Sequence, residues 1–194
     1  MQVYQDITLL PDVDIPLYFL WEKVYQQIHL ALVESSDNNG KVNIGVAFPK
    51  YREDKGGHPL GDTMRLLSMF KNDLAELNIA KWFSRLSDYV VCTGIRDVPN
   101  RIDGYAHFKR LRPKGNNERL ARRKARREGI SYDDALAYFK DREIKLNNAP
   151  YVQMKSLSNN NRFRLMIDRV DAGENRFEGF DTYGLSAKST APLF

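Results

Sequence analysis

Five arginines recur in one short stretch, residues 116–128 (NNERLARRKARRE), at spacings that place them on one face of a helix. They are Arg119, Arg122, Arg123, Arg126 and Arg127. Asn116 and Asn117 are good helix caps, and Gly129 ends the pattern. A solvated charged face is the simplest interpretation of such a run. Here only Glu118 and Glu128, at the two ends, offset the repulsion between the guanidiniums, so an RNA or DNA backbone is the favoured ligand.

Three histidines could support acid–base chemistry near neutral pH. His29 lies near the end of the first predicted helix, His58 in a Gly-rich loop where it is expected to be exposed, and His107 in a basic segment that could touch RNA. Position alone favours a half-buried, hydrogen-bonded helix residue for His29. The carboxylates form no D-x-D or H-x-D pattern and no GxxxxGK[ST] loop occurs, which disfavours a two-metal nuclease and a phosphate-binding loop. No metal and no cofactor is expected.

The positive charge is concentrated in one region. The net charge is +5, but residues 105–130 hold ten Lys/Arg and two Glu, a net of +8 that leaves −3 for the rest of the chain. The single cysteine, Cys92, excludes a disulfide framework. No signal-peptide pattern is visible, and no apolar run approaches the roughly 20 residues of a membrane helix. A cytoplasmic protein without membrane association is predicted.

The first half predicts the order β-α-β-β-α-β, a ferredoxin-like α+β domain over residues 1–97. The predicted elements are a strand over residues 3–10, a helix over 16–34, strands over 42–48 and 60–69 (the latter alternatively a short helix), a helix over 71–86 and a strand over 89–95. Leu20, Val24 and Ile28 form the apolar stripe of the first helix. No RNP1-like aromatic pattern occurs, which argues against an ordinary RRM.

Residues 98–194 predict a smaller α/β domain that carries the arginine-rich helix and binds RNA. A basic extended segment, residues 105–112, precedes that helix. Ser131, with Asp134 three residues later, predicts the cap of a second helix that runs to about residue 145. Strands are predicted over residues 151–157, 162–168 and 176–183, with a polar tip at 158–161.

Several segments together resemble one family, the CRISPR-associated endoribonuclease of type I-F systems, which cuts precursor transcripts within each repeat to release guide RNAs. They are QQIHLALV around His29, NERLARRKARRE, YVQMKSLS, NRFRLMI and TYGLSAKSTAPLF. The similarity runs in register along the chain. The paired-arginine helix and the F-R-L…Y-G-L-S order are its most specific parts.

The resemblance implies roles for individual residues. His29 matches the catalytic histidine, Ser156 a serine that holds the attacking ribose 2′-hydroxyl, and Tyr183 a tyrosine that helps to place the histidine. The implied RNA-binding residues are Ser158 near the scissile phosphate, Phe163 stacked on a nucleotide, Arg110 reading a base near the foot of the stem, and the major-groove arginines Arg122, Arg123, Arg126 and Arg127, to which the same helix face adds Arg119.

Two residues depart from the family pattern. Arg112 stands where the family typically has a glutamine suited to an adenine edge. Arginine pairs best with guanine, so Arg112 reads a different base or contacts phosphate. Asn159 replaces a hydroxyl residue in the loop after Ser156.

The resemblance therefore implies a metal-independent cut at the base of the CRISPR repeat hairpin. The ribose 2′-OH attacks the neighbouring phosphate, and the products carry a 2′,3′-cyclic phosphate and a 5′-hydroxyl. The protein, monomeric when alone, is expected to stay on the 3′ hairpin of the crRNA beside other subunits of the type I-F surveillance complex. The alternatives are a non-catalytic hairpin-binding subunit of that complex and a DNA-binding regulator, the latter disfavoured because no helix-turn-helix pattern is present.

Overall fold

The computed structural model describes residues 1–52, 58–112, 117–139, 149–156 and 158–194, and shows a mixed α+β fold with antiparallel sheets, as predicted. Its helices and strands are β1 (Val3–Leu9), α1 (Leu17–Glu34), β2 (Gly45–Ala47), β3 (Thr63–Ser68), α2 (Lys71–Leu77), α3 (Ile79–Trp82), β4 (Val90–Cys92), β5 (Arg96–Asp97), β6 (Gly104–Leu111), α4 (Asn117–Glu128), α5 (Tyr132–Ala137), β7 (Tyr151–Lys155), β8 (Arg162–Ala172) and β9 (Ala191–Leu193). In the described part of the chain, no helix is both long and apolar enough to cross a bilayer.

The first sheet has the strand order β2-β3-β1-β4, and β5 pairs with the other end of β1. Every pair is antiparallel; the β1–β3 register runs from Val3 opposite Ser68 to Thr8 opposite Thr63. Helix α1 connects β1 to β2, and α2 with α3 connects β3 to β4. The ambiguous segment at residues 60–69 is therefore a strand.

The second sheet has the order β7-β8-β6-β9, again with antiparallel pairs throughout. The basic segment predicted over residues 105–112 forms β6, the strand between β8 and β9. The polar tip predicted at residues 158–161 connects β7 to β8. Leu157, beside that tip, lies outside the described residues.

Helix α1 supplies one face of the core, because its apolar residues recur at helical spacing. The predicted stripe of Leu20, Val24 and Ile28 is fully buried, and Trp21 and Tyr25 are buried beside it. Replacing a buried side chain of this size by alanine costs about 2–5 kcal/mol. The stripe therefore fixes the rotation of α1 and decides which of its other residues remain accessible.

The core is continuous between the two sheets. Phe48, next to β2, packs edge-to-face on Phe108 of β6 with ring centroids 5.5 Å apart. Tyr51 donates a hydrogen bond to the Ile167 carbonyl of β8 (3.1 Å). Both sheets therefore belong to one compact unit, Met1–Leu111 with Pro150–Phe194, and Arg112–Ala149 form a second. The prediction of two domains that divide at residue 97 stays a prediction. The strands of the first sheet all come from residues up to 97, and those of the second sheet from residues after it.

The second unit contains α4 and α5. Ala121 and Ala135 are completely buried, so small residues let the helices approach closely. The Asn117 side-chain amide donates to the Phe139 carbonyl (2.9 Å). Ser131 caps α5 as predicted, by accepting from the Asp134 N–H (3.0 Å). Helix α5 ends at Ala137, short of the predicted end near residue 145, and residues 140–148 lie outside the described part.

The prediction of a strand over residues 176–183 is wrong. Hydroxyl groups accept from its backbone, as Thr190 does from the Arg176 N–H and Ser189 from the Glu178 N–H (both 2.8 Å). Only Phe180 makes an isolated bridge, to Val42. The last strand is instead β9, which sequence reasoning missed because it is short and contains Pro192, tolerated at the sheet edge.

The predicted helix over residues 71–86 is interrupted. Asn78 adopts a left-handed conformation (φ 44°) and separates α2 from α3. Asparagine tolerates this region better than most residues, so it is a suitable residue for the break. The strand predicted over residues 42–48 is also shorter than expected, since only Gly45–Ala47 pair with β3.

Candidate active site and the arginine helix

His29 lies on α1 beside the buried stripe and is itself half-buried. Its Nδ1 is 2.8 Å from the carbonyl oxygen of Thr182. Because a carbonyl only accepts hydrogen bonds, Nδ1 carries the hydrogen, and the neutral ring keeps an unprotonated Nε2. The imidazole is thereby set up to accept a proton at Nε2.

Tyr183 holds the same imidazole from one face. Its ring stacks on His29 with centroids 4.1 Å apart and planes 5° from parallel. Its carbonyl accepts a hydrogen bond from the hydroxyl of Tyr25, one turn earlier on α1 (3.0 Å). The structure therefore brings together His29 and Tyr183, two of the three predicted catalytic residues.

A tight turn over residues 181–185 carries Thr182 and Tyr183. Asp181 Oδ1 accepts from the backbone N–H of Tyr183 (2.9 Å) and of Leu185 (3.0 Å). Gly184 has φ +72°, and a Cβ added there would overlap the Val46 side chain. Burial raises the pKa of the Asp181 carboxyl above its ordinary value; the two N–H donors and the charges of Arg110 and Lys41 oppose this rise.

Arg110 and Phe163 close around Tyr183. The Arg110 guanidinium lies 5.1 Å from the Tyr183 ring centroid and 5.4 Å from that of Phe163. The Phe163 and Tyr183 rings meet edge-to-face at 6.4 Å. Two of the predicted RNA-binding residues thus contact the tyrosine that stacks on His29, and a cation lies within this cluster.

Ser156 and Ser158 lie at the tip that follows β7. Their hydroxyl oxygens are 3.1 Å apart. The N–H of Lys155, next to Ser156, donates to Gln26 Oε1 on α1 (3.3 Å). Gln26 lies three residues before His29, so this bond attaches the end of β7 to the helix face that carries the histidine. Lys155, the residue before Ser156, is therefore attached to α1 one turn before His29.

The departure at Asn159 has a local explanation. Its side-chain oxygen accepts from the Asn161 N–H (3.1 Å), and Asn160 between them is left-handed (φ 56°). A short amide side chain stabilises such a turn well. Arg112, the other departure, is exposed directly after β6.

Helix α4 exposes all five predicted arginines. Arg122 pairs with Glu118 (3.7 Å) and Arg127 with Glu128 (2.7 Å), so both terminal glutamates offset part of the stripe. Exposed pairs of this kind contribute little to stability, because water screens the two charges. Hydrogen bonds from Lys124 and Arg127 lower the pKa of Glu128.

Lys124 differs from these arginines. Only 18% of its side chain is exposed, it pairs with Glu128, and its ammonium lies 4.3 Å from the Tyr138 ring centroid. It therefore stabilises the second unit, and the arginines form the accessible cationic face.

The other two histidines have separate environments. His58 is half-buried and stacks near Trp21 with centroids 6.1 Å apart, which corrects the expectation that it is exposed. Its Nδ1 accepts from the Leu60 N–H (3.3 Å), and burial lowers its pKa. His107 Nδ1 lies 2.9 Å from the Ser189 carbonyl. Within the described ranges, no three His, Cys, Asp or Glu side chains cluster as a metal site would require.

Sequence reasoning missed four residues that build the site: Tyr25, Gln26, Asp181 and Thr182. Asp181 had a recognisable signal, since an aspartate shortly before a glycine is typical of a side-chain-stabilised turn. Thr182 contributes only its backbone carbonyl, and Gln26 acts on a distant backbone N–H. Neither contact can be predicted from the neighbouring residues in the sequence, because each partner is distant along the chain.

Known proteins resemble this chain along its length. The profile of a family described as "CRISPR-associated protein (Cas_Csy4)" matches residues 4–194. Proteins named CRISPR-associated endonuclease Cas6/Csy4 are similar to it: one from Escherichia coli (strain UTI89 / UPEC) is 29% identical over 195 residues, and one from Pseudomonas aeruginosa (strain UCBPP-PA14) is 32% identical over 198. Both matches cover 100% of this chain and 100% of the relative.

A solved structure described as "An RAMP protein binding different RNA substrates" covers 98% of this chain and 99% of its own at 14% identity. The TM-score of this match is 0.34. The family profile, by contrast, extends over nearly every residue. On that basis the chain belongs to the Csy4 family of CRISPR-associated proteins.

Proposed function

We propose that this protein is an RNA endonuclease that processes CRISPR precursor transcripts. It binds the repeat hairpin and cuts at its base by attack of a ribose 2′-OH, without a metal ion. The observation that carries the proposal is the hydrogen bond from His29 Nδ1 to the Thr182 carbonyl, because it leaves Nε2 as a proton acceptor. The full-length similarity to proteins named CRISPR-associated endonucleases supports the choice of RNA substrate.

In the proposed reaction, His29 Nε2 removes the proton of the 2′-OH as that oxygen attacks the neighbouring phosphorus. The O2′–P bond forms while the P–O5′ bond breaks, and the leaving 5′ oxygen takes up a proton from water. The products are a 2′,3′-cyclic phosphate and a 5′-hydroxyl. A positioned base contributes about 10²–10⁴-fold to such a step.

Ser156 and Ser158 provide orientation in this scheme. A hydroxyl donates one hydrogen and accepts others, so the pair 3.1 Å apart can hold each other and still bind a ribose or phosphate oxygen. Fixing the 2′ oxygen in line with the leaving 5′ oxygen lowers the entropic cost of attack. Phe163 presents an aromatic surface on which a base can stack.

Arg110 supplies positive charge beside the Tyr183 ring that stacks on His29. Its guanidinium, held against the Phe163 and Tyr183 rings, can donate to a phosphate oxygen or a guanine edge. His29, Tyr183, Phe163 and Arg110 form a chain of contacts, so RNA that stacks on Phe163 comes near the imidazole. The group that stabilises charge on the phosphoryl oxygens is proposed to be this cation or nearby backbone N–H groups.

The arginines of α4 are proposed to grip the phosphates of the hairpin. An A-form major groove is normally too deep and narrow for a helix, so α4 enters near the loop or the stem end. Four or five phosphate contacts make binding strongly salt-dependent and slow product release. We propose that the protein then stays on the 3′ hairpin of the crRNA as a subunit of the type I-F surveillance complex.

The proposed architecture is a ferredoxin-like domain, residues 1–97, followed by an RNA-binding domain, residues 98–194. The order β2-β3-β1-β4, with α1 between β1 and β2, supports the first part. The second part contains every proposed RNA-binding residue. The catalytic histidine comes from the first part, and Ser156 and Tyr183 come from the second.

The deciding experiment incubates a labelled repeat hairpin with the protein in EDTA. Wild type should cut it, a hairpin with a single 2′-deoxyribose at the cut site should bind equally well and stay intact, and His29→Ala should bind normally and cut about 10²–10⁴-fold more slowly. His107→Ala is the matched control, since His107 makes the same kind of Nδ1 contact to a carbonyl elsewhere. Tight binding by wild type without cleavage would identify a non-catalytic hairpin-binding subunit instead.

A further inference from the structure

We infer that Asp181 is a positioning residue for His29: its carboxylate holds the turn that presents the Thr182 carbonyl and the Tyr183 ring to the imidazole. The inference deepens the proposed function, on which it rests. It assigns Asp181 no contact with RNA and no proton transfer. Its role is to fix which nitrogen of His29 is free to act as a base.

One side-chain oxygen accepts two backbone N–H groups of the turn. Asp181 Oδ1 receives both the Tyr183 and the Leu185 N–H, two and four residues ahead. The backbone closes the same turn, with the Gly184 N–H donating to the Asp181 carbonyl (2.8 Å) and the Asp181 N–H to the Leu185 carbonyl (2.9 Å). The Val46 N–H, on β2, donates to the Gly184 carbonyl (2.8 Å) and attaches the turn to the first sheet.

The hydrogen bond and the stacking contact of the His29 ring both come from the two residues that follow Asp181. Thr182 follows Asp181 directly and offers its carbonyl to Nδ1 at 2.8 Å. Tyr183, whose N–H binds Oδ1, stacks on the ring at 4.1 Å. If Oδ1 is lost, the Tyr183 N–H loses its partner and the Thr182 carbonyl can rotate away from Nδ1. The imidazole is then free to exchange its tautomers.

The role is geometric, because an amide oxygen can replace the carboxylate oxygen. Asparagine has one acceptor at the position of Oδ1 and can receive both N–H groups. Glutamate keeps the charge but moves the acceptor by one methylene. Asparagine keeps the position of the acceptor and removes the negative charge, whereas glutamate keeps the charge and moves the acceptor. The two variants therefore separate the effect of position from the effect of charge, which attracts Arg110 and Lys41.

The test compares Asp181→Ala, Asp181→Asn and Asp181→Glu in the full chain. The matched control is Asp12→Ala, because Asp12 Oδ1 accepts from the N–H groups two and three residues ahead (2.9 and 2.7 Å) in the segment that precedes α1. The readouts are the single-turnover cleavage rate, the affinity for a 2′-deoxy hairpin, and the His29 tautomer. The tautomer is read from the ¹⁵N shifts of the neutral imidazole.

We expect Asp181→Ala and Asp181→Glu to cut about 10- to 100-fold more slowly, with hairpin affinity within about twofold of wild type, because small misplacements near reacting groups have effects of this size. Their His29 spectra should show mixed tautomers. Asp181→Asn should keep the Nδ1–H tautomer and a rate within about threefold of wild type. Asp12→Ala should match wild type in all three readouts.

A wild-type rate in Asp181→Glu, or a rate lost without a change of tautomer, would overturn the inference. An equal loss in the asparagine and glutamate variants would also overturn it, because charge would then be the cause. If Asp181→Ala does not fold, the cleavage rates and tautomers of Asp181→Asn and Asp181→Glu still test the inference. If wild type fails to cut the hairpin, the proposed function is wrong, and the tautomer spectra alone test the role of Asp181.

Discussion

At the scale of single residues, the site is organised by backbone groups as much as by reactive side chains. His29 owes its tautomer to the Thr182 carbonyl and its ring orientation to Tyr183. Tyr25 and Gln26, neighbours of His29 on α1, attach the two other segments of the site to the helix. The hydrogen bond from Nδ1 to a carbonyl also occurs at His107, so the stacked Tyr183 ring is the contact that adds to the case for His29 as a proton acceptor.

The buried carboxyl of Asp181 makes a testable contribution to stability. Burial raises its pKa above the ordinary 3.8, so the folded state holds this proton more tightly than the unfolded chain does. The stability gained from this tighter proton binding is therefore complete below pH 3.8 and is lost as the pH rises through the raised pKa of the folded state. Asp181→Asn lacks this titration, so its unfolding free energy relative to wild type should increase across that window.

Urea denaturation of both proteins at a series of pH values measures this difference. Above the window the difference should become constant, which serves as the internal control. A difference that falls as the pH rises from 3.8 would mean that the hydrogen bonds outweigh burial and that the pKa is lowered.

At the scale of elements, short irregular segments do as much positioning as helices and strands. The turn over residues 181–185 carries the contacts to His29, and Gly184 lets it pack on Val46. Helix α4 works differently: Ala121 packs inside the second unit, and the arginines extend from the other side. Sequence periodicity identifies α4, but it does not identify the turn.

Gly184→Ala should destabilise the protein strongly. The residue has φ +72°, and the added Cβ would overlap the Val46 side chain, so strain and overpacking add to about 2–6 kcal/mol. Gly173→Ala is the matched control, because a Cβ there has open space and no left-handed backbone. Thermal and urea unfolding of both variants measure the effect. Equal stability of the two would show that the turn is not under this constraint.

Arg123→Ala should weaken hairpin binding and reduce its salt dependence. If Arg123 contacts one phosphate, the slope of log K against log salt should become shallower by about 0.7–0.9. Lys124→Met is the matched control: it removes the same charge one position along α4, from a side chain that pairs with Glu128 within the second unit, and keeps the apolar stem. An equal change of slope in both variants would attribute the effect to net charge alone.

At the scale of the whole molecule, the sequence predicts what depends on periodicity. The buried stripe of α1, the strands β1 to β4, β6 and the arginine face all follow from apolar or charged spacing, whereas the short strand β5 was not predicted. The break at Asn78, the irregular segment after Arg176 and the strand β9 do not, because each is decided by backbone conformation or by distant hydroxyl partners. The candidate site divides in the same way: the family resemblance suggested its proposed catalytic side chains, whereas its carbonyl and turn contacts depend on how distant segments of the backbone fold together.

The strand register makes removal of the second unit a direct test of this organisation. Leu111 and Tyr151 both pair with Met166 of β8, so they flank one strand and lie about 9–10 Å apart at the usual strand spacing. A Gly/Ser linker of about five residues can therefore replace Arg112–Ala149. The shortened chain should still unfold cooperatively, because the core around α1 and both sheets belongs to the first unit.

Its hairpin affinity should nevertheless fall at least about 100-fold, since charge-assisted hydrogen bonds contribute about 1.5–3 kcal/mol each and several would be lost. The matched control is the full chain with the five α4 arginines changed to glutamine. If the arginines account for binding by this unit, the two variants should lose similar affinity and both should keep the wild-type His29 tautomer. If the shortened chain binds as tightly as wild type, the RNA-binding surface lies on the first unit and not on α4.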